Sequence, residues 1–334
     1  MKSDILRRLA WTFLYAMSLF LATGGNAGNA ATNNYPDAPI TVVIPWPPGG
    51  AADFLGRAVA ARMSEKLGQP VIIENRPGAD TIIGTRRVAS ARPDGYTLFL
   101  ASSGNAVNAT LHPETEGNFL QEFVPIINIG VAPTVLVVNP AFPARTVPEL
   151  LDLLKKNKPN AYTYAFSGQG SASHVSAIQF MRATGSEIMG VSYKGASPAT
   201  VDLLGGHVDM MFNVVPAIAG HLADGKLHAL FALSDKRLAA LPDVPTSAEV
   251  GFRGLKAGMW HGLAAPAGTP GYVVEKIQAT VSEILKEPDI IQKINSQGAI
   301  ILGTESKAFY QTIKEDTEMY AKLFGPAKAA SRKP

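Results

Sequence analysis

The sequence predicts a two-lobed α/β protein, each lobe a mostly parallel sheet flanked by helices, and three observations carry that prediction. Strand-like and helix-like segments alternate along most of the chain. The alternation occurs in two separate stretches with no repeat of solenoid length. Two apolar stretches, Ile126–Val138 and Trp260–Ala265, fall where the chain would cross between the stretches. A double crossing makes a hinge, and a hinge makes a cleft.

The first stretch opens with the strand Ile40–Pro45, followed by Trp46-Pro47-Pro48-Gly49-Gly50. A helix over Asp53–Leu67 is expected because Leu55, Val59, Met63 and Leu67 recur every four residues, with Gly68 just past its end. Val71–Glu74 is the next strand, ending at Asn75-Arg76-Pro77-Gly78. A helix over Ile82–Ser90, the turn Arg92-Pro93-Asp94-Gly95 and a strand over Tyr96–Ala101 complete the run. In the second stretch, strand Tyr162–Phe166 leads through Ser167-Gly168-Gln169-Gly170-Ser171 into a helix over Ser173–Thr184, closed by Gly185. Strand Ile188–Tyr193 follows, then a helix with Ser197 as N-cap and Pro198 in its first turn. Val208–Asn213 and Leu227–Ser234 are two more strands. In the C-terminal third, Val273, Val274, Ile277, Val281 and Ile284 form an apolar helical stripe stopped at Pro288. A strand at Ala299–Leu302 and a helix from Glu305 to about Phe324 come next, then a small basic tail, 325–334, expected to be disordered. The expected boundaries are 33–131 plus 261–324 for one lobe and 132–260 for the other.

The N-terminus has the layout of a secretory signal peptide. Lys2, Arg7 and Arg8 precede a short apolar stretch, Leu9–Ala22, and Gly28 and Ala30 occupy the −3 and −1 positions of a cleavage site before Ala31. The expected product is exported, periplasmic and not membrane-embedded. The 334 residues contain no cysteine, which removes disulfides, thiolate nucleophiles, Cys-ligated metals and a thiol for lipid attachment. The formal charge of +3 falls to +1 once the leader is set aside, and no basic face with interleaved aromatics argues for nucleic acid.

Chemistry is expected in the loops between strand C-termini and helix N-termini, where ligands of open α/β sheets bind. A helix's first turn leaves backbone N–H groups unpaired and carries partial positive charge, so it attracts an anion without Arg or Lys. Trp46, Pro48, Gly49, Gly50 and Ala51 form the first such loop, with Asp53 expected to be a helix-start acceptor. Gly78, Ala79, Asp80 and Thr81 form the second. Gly168, Gly170, Ser171 and His174 form the third, in the other lobe. Ser102, Ser103 and Asn105 after one strand, and Asn213 ending another, are further polar candidates. His174 could donate to an anion or be packed within its helix. Thr246 with Glu249 is expected to be a capping box.

Enzymatic patterns are weak. Gly168-Gln169-Gly170 meets Ser173 where a dinucleotide fingerprint needs a third Gly, and Glu187 precedes the next strand instead of ending it. There is no Gly-x-Ser-x-Gly elbow, no Walker loop and no His-Glu-x-x-His pair among the six histidines. No cofactor and no metal are expected. An exported α/β enzyme or dinucleotide binder would be told apart by turnover or cofactor retention, and a ligand-presenting signalling module by co-purification with a sensor.

The chain resembles the substrate-binding proteins of the tripartite tricarboxylate transporter family, the Bug-type periplasmic receptors, from about Tyr35 to Tyr320. The resemblance rests on an ordered set: Pro45-Trp46-Pro47-Pro48-Gly49-Gly50 with Asp53, Asn75-Arg76-Pro77-Gly78-Ala79, Arg92-Pro93-Asp94-Gly95-Tyr96, and Gly168-Gln169-Gly170-Ser171 with His174. Tyr193-Lys194-Gly195, Asp202-Leu203-Leu204-Gly205-Gly206, Leu241-Pro242-Asp243-Val244-Pro245-Thr246 and Trp260-His261-Gly262-Leu263 continue it. It implies a periplasmic-binding-protein (Venus-flytrap) fold. It also implies a small organic acid or amino acid as ligand, held at one carboxylate by first-lobe amides and water, and a two-component membrane permease as partner. This chain departs from the family where Asp80-Thr81 replace the usual Gly-Gly and where Asn213 replaces a frequent Asp. A carboxylate at position 80 is expected to shift ligand preference, and unchanged dicarboxylate affinity in Asp80→Gly would refute that.

Overall fold

The computed structural model describes residues 34–111, 118–255 and 257–324. The signal peptide, its cleavage site and the 325–334 tail therefore lie outside the described residues. The chain divides into a short N-terminal unit, Met1–Asp37, and a compact unit from Ala38 onward that holds every element below.

β1 (Ile40–Ile44), β2 (Val71–Asn75) and β3 (Thr97–Ser102) pair in parallel, linked by helices α1 (Ala51–Leu67) and α2 (Ile82–Ala89). α1 forms on the side chains that the four-residue spacing singled out: Leu55, Val59 and Met63 are buried, and Gly68 ends the helix at φ 67°. It starts at Ala51, two residues earlier than expected, with Gly50 as N-cap. α3 (Ser103–Leu111) follows β3 directly, so the polar stretch expected there as a loop is the start of a helix. α4 (Phe119–Glu122) then leads into β4, a 16-residue strand over Phe123–Val138.

The second half contains α5 (Val147–Lys156), β5 (Thr163–Phe166), α6 (Ala172–Thr184), β6 (Met189–Ser192), α7 (Ala196–Leu204), β7 (Met210–Val214), α8 (Val215–Ala223) and β8 (His228–Ala232). α7 has Gly195 as its N-cap, at φ 111°, rather than Ser197, which lies inside the first turn. The chain returns through β9 (Gly258–Pro266) to α9 (Gly271–Ile284), α10 (Pro288–Ser296), β10 (Ile300–Glu305) and α11 (Ser306–Phe324). Pro288 is the first residue of α10 and not the stop of α9, as suits a residue with no N–H to lose at N1. The strand expected at Ala299–Leu302 runs on to Glu305.

β4 organises the whole molecule. Its first part pairs antiparallel with β9, which pairs antiparallel with β3, so β4 runs in the same sense as β1–β3. Its second part pairs antiparallel with β7, which is parallel to β5, as β5 is to β6. The carboxyl ends of the two parallel sets therefore point at each other. On β4, the end of β3 falls level with Gly130, through Ser102 and His261, and the end of β7 falls level with Thr134. Four residues of strand separate the two edges at the base, roughly 13 Å.

Apolar packing lies on both sides of that division. Phe99, Phe119, Phe123, Trp260 and Phe309 pack together in the first half. Phe180, Phe212 and Phe231 fill one face of the second sheet, and Val137, Leu203 and Met211 the other. Gly262 lets β9 run close under α11, since a Cβ there would sit 2.5 Å from the Phe309 ring.

Candidate functional site

The first loop, 45–50, is exposed beyond Trp46, whose ring meets the buried His261 edge-on at a centroid distance of 6.1 Å. Asp53 is buried and acts as the helix-start acceptor: its Oδ2 accepts from the Gly49 amide (3.0 Å) and Arg57 Nε (2.9 Å), and its Oδ1 from Asn75 Nδ2 (2.9 Å). Burial alone would raise its pKa, but the bonds from Arg57, Gly49 and Asn75 outweigh it and hold the carboxyl down at about 2. With Asp53 committed to this brace, the α1 amides of Ala52 and Asp53 find no protein acceptor among the described residues.

The second loop is built from unusual backbone. Gly78 has φ 127°, Ala79 φ 47° and Thr81 φ 82°. A β-branched residue in the left-handed region is strained. Only glycine adopts that conformation without strain. The Thr81 hydroxyl compensates, since Oγ1 accepts from Asn105 Nδ2 at 3.0 Å and Asn108 Nδ2 at 3.4 Å. Asn105 Oδ1 in turn takes the Ser102 amide at 2.9 Å, and Ser102 Oγ takes that of Gly104 at 3.1 Å. Thr81, Ser102 and Asn105 are thus one buried network that fixes the second loop to the start of α3. The side chain of Asp80 lies outside the described residues.

In the third loop, Ser171 caps α6 by accepting from the His174 amide at 3.3 Å. His174 stacks on Phe166 at 4.3 Å, and its Nδ1 accepts the Gly170 amide at 3.1 Å. Burial lowers the pKa of the imidazole, so His174 is a packed neutral ring with its proton on Nε2 rather than a cation. Gly170 N–H is correspondingly used up. The α6 amides of Ala172 and Ser173 find no protein acceptor among the described residues. Asn213 is buried at the matching edge, with Nδ2 on Thr200 Oγ1 (3.3 Å) and Oδ1 on its neighbour's amide, so it serves the sheet end. Thr246 and Glu249 form the reciprocal bonds of a capping box, on a turn.

A cavity of about 510 Å³ brings Ser103 and Gly104 of α3 together with Gly170, Ser171 and Ala172 at the start of α6. The remaining predicted residues do not line it. Its other walls come from β4, β9, β10, α11 and the Leu233–Lys236 segment after β8, and include Asn128, Trp260, Asp316 and Tyr320, none of them among the predicted site residues. Asn128 Oδ1 is buried without a hydrogen-bond partner. An amide inside the apolar run 126–138 was the available signal, because a buried amide needs partners. Trp260 Nε1 donates to Asp316 Oδ2 at 2.7 Å, and burial raises that carboxyl to about 6 in spite of the bond. His261, on the same strand as Trp260, is fully buried with Nδ1 unpaired, and burial lowers its pKa to about 4. Among the described residues there is no group of three or more His, Cys, Asp or Glu that could hold a metal, and no helix long and apolar enough to cross a membrane.

Comparison with known proteins identifies the family and the fold. Residues 55–325 match the model of the tripartite tricarboxylate transporter family receptor. Protein BugT of Bordetella pertussis is 36% identical over 288 residues, which cover 86% of this chain and 88% of that protein. Among solved structures, Rpa4515 of R. palustris with adipate aligns at 31% identity and TM-score 0.75, covering 88% of this chain and 98% of that one. MatC from Rhodopseudomonas palustris with bound malate aligns at 30% identity and TM-score 0.71, covering 86% and 99%. The fold is that of the two-lobed periplasmic binding proteins, and the chain belongs to the tripartite tricarboxylate transporter receptor family as an extracytoplasmic solute receptor.

Proposed function

We propose that the protein captures a small carboxylate-bearing molecule in the periplasm, closes on it, and passes it unaltered to a two-component membrane permease. The observation that carries this is the pair of facing sheet edges, each presenting first-turn amides with no protein acceptor among the described residues: Ala52 and Asp53 on one side, Ala172 and Ser173 on the other. Such donors hold an anion through backbone dipoles and leave no counter-charge behind when it departs. The lobes divide at 131/132 and 260/261, close to where β4 exchanges its pairing with β9 for pairing with β7, and closure is a hinge motion about those strands. Trp46, Pro48, Gly49, Gly50, Ala51, Gly78, Ala79, Ser103 and Gly168 shape the approach. Thr81, Ser102, Asn105, Gly170, His174 and Asn213 hold the loops in place through the hydrogen bonds given above. The adipate and malate named with two relatives support a carboxylate ligand. The protein performs no chemistry on it and reaches the periplasm after cleavage behind Ala30, without a lipid anchor because the chain has no cysteine.

A thermal-shift panel of mono- and dicarboxylates, adipate and malate included, tests the reading. At least one should raise the melting temperature and be recovered unchanged after incubation. Conversion of any of them to product, or retention of a dinucleotide through purification, would overturn it.

A further inference from the structure

The cavity has a polar wall whose chemistry bears on which carboxylates fit. Most of the surface around Ala172 is apolar, with Val107, Val131, Val175, Leu233, Met259 and Met319 in the lining; Asp235 and Lys236, after β8, are the charged residues of the lining besides Asp316. At the α11 side the lining changes to Asn128, Asp316 and Tyr320, with Trp260 already donating to Asp316. Asn128 is 1% exposed and its Oδ1 is unpaired, so an acceptor stands idle in the same wall that contains a carboxyl. The unpaired Asn128 oxygen accepts a hydrogen-bond donor from a ligand, and the Asp316 carboxyl, bonded to the indole N–H, repels a second carboxylate placed against it.

We infer that the ligand of this receptor is a monocarboxylate with an apolar, ring-sized body and a hydrogen-bond donor such as a hydroxyl at its far end, the carboxylate at the start of α6 and the donor against Asn128 and Asp316. This rests on the receptor reading and narrows it. The apolar lining takes the body by burial, the α6 amides take the charge, and the idle Asn128 acceptor gains a partner. A flexible dicarboxylate of similar length places its second charge beside Asp316, where little water screens the two.

The experiment is calorimetry at pH 7.5 with three probes: para-hydroxyphenylpropionate, phenylpropionate and adipate. Para-hydroxyphenylpropionate should bind about tenfold tighter than phenylpropionate, and adipate should bind weakest. Asp316→Asn keeps an acceptor for Trp260 Nε1 and removes the charge, so adipate should gain about tenfold. Asn128→Leu should bring the ratio of hydroxylated to plain probe down to about one, with a cooperative melting transition showing that the variant is folded. Adipate binding as tightly as the hydroxylated probe, or ratios unmoved by both variants, would overturn the inference while leaving the receptor reading intact. If no probe binds and the wider carboxylate panel is silent as well, both fall.

Discussion

Replacing Ala172 by proline deletes one donor and almost nothing else. Ala172 is the first residue of α6, and Ser171 before it is extended, with φ −61° and ψ 159°. Proline is welcome at N1 because the missing N–H has no intrahelical partner, and the residue before a proline prefers an extended backbone. The fold should therefore be unaffected or gain about 0.5 kcal/mol from a stiffer unfolded chain. If the Ala172 amide holds a ligand oxyanion, the variant loses a hydrogen bond to a charged group, about 1.5–3 kcal/mol, or roughly tenfold to a hundredfold in affinity. Ala51→Pro does the same at the facing edge, since Gly50 is likewise extended at φ −82° and ψ 174°. Calorimetric titration with adipate, alongside denaturation midpoints, separates binding from stability. Unchanged affinity in both proline variants, with both folded, would refute the idea that these amides grip the ligand.

Three further outcomes follow from the loops. Asp53 has a folded pKa held below its unfolded value, so its stabilisation is present above pH 4 and is lost as pH falls through about 2. Asp53→Asn should therefore cost about 2 kcal/mol at pH 7 and little at pH 2, read from urea midpoints. Thr81→Val keeps the branched side chain in its left-handed backbone but removes the acceptor of Asn105. It should destabilise by about 1–2 kcal/mol, and an unchanged melting temperature would show the network to be idle. Asp316 is the opposite case to Asp53: its folded pKa is raised, so its relative stabilisation is fully present below pH 4 and is lost as pH rises through about 6. Asp316→Asn should be more stable than the parent at pH 8, by up to about 3 kcal/mol, with the gap closing at pH 4.

How far the sequence reaches depends on whether the deciding interaction is local. α1 was legible because Leu55, Val59 and Met63 repeat at the helical period and Gly68 supplies the left-handed residue that stops it. α5 carries an equally local signal: Thr146 and Glu149 make a full capping box ahead of Leu150 and Leu153. α3 was not legible, since Ser103-Gly104-Asn105 favours loops; it forms because Ser102 Oγ and Asn105 Oδ1 take the amides where it begins. The loops at the helix starts could be named from glycines and caps. Which of their donors remain available could not, because Gly170 N–H is spent on His174, a contact that depends on how the ring stacks on Phe166. The facing of the two sheets is a long-range property of β4, set by pairing with β9 and β7, and no short window of sequence records it. The wall of Asn128, Trp260, Asp316 and Tyr320 gathers residues from three elements far apart in the chain.

A crystal structure of the protein with adipate or a tighter carboxylate from the panel reads the grip itself. The ligand's carboxylate should sit between the halves with its oxygens within hydrogen-bonding distance of the 51–53 amides or of Ala172 and Ser173. A ligand bound with its carboxylate on a Lys or Arg side chain, and those amides facing only solvent, would contradict the account.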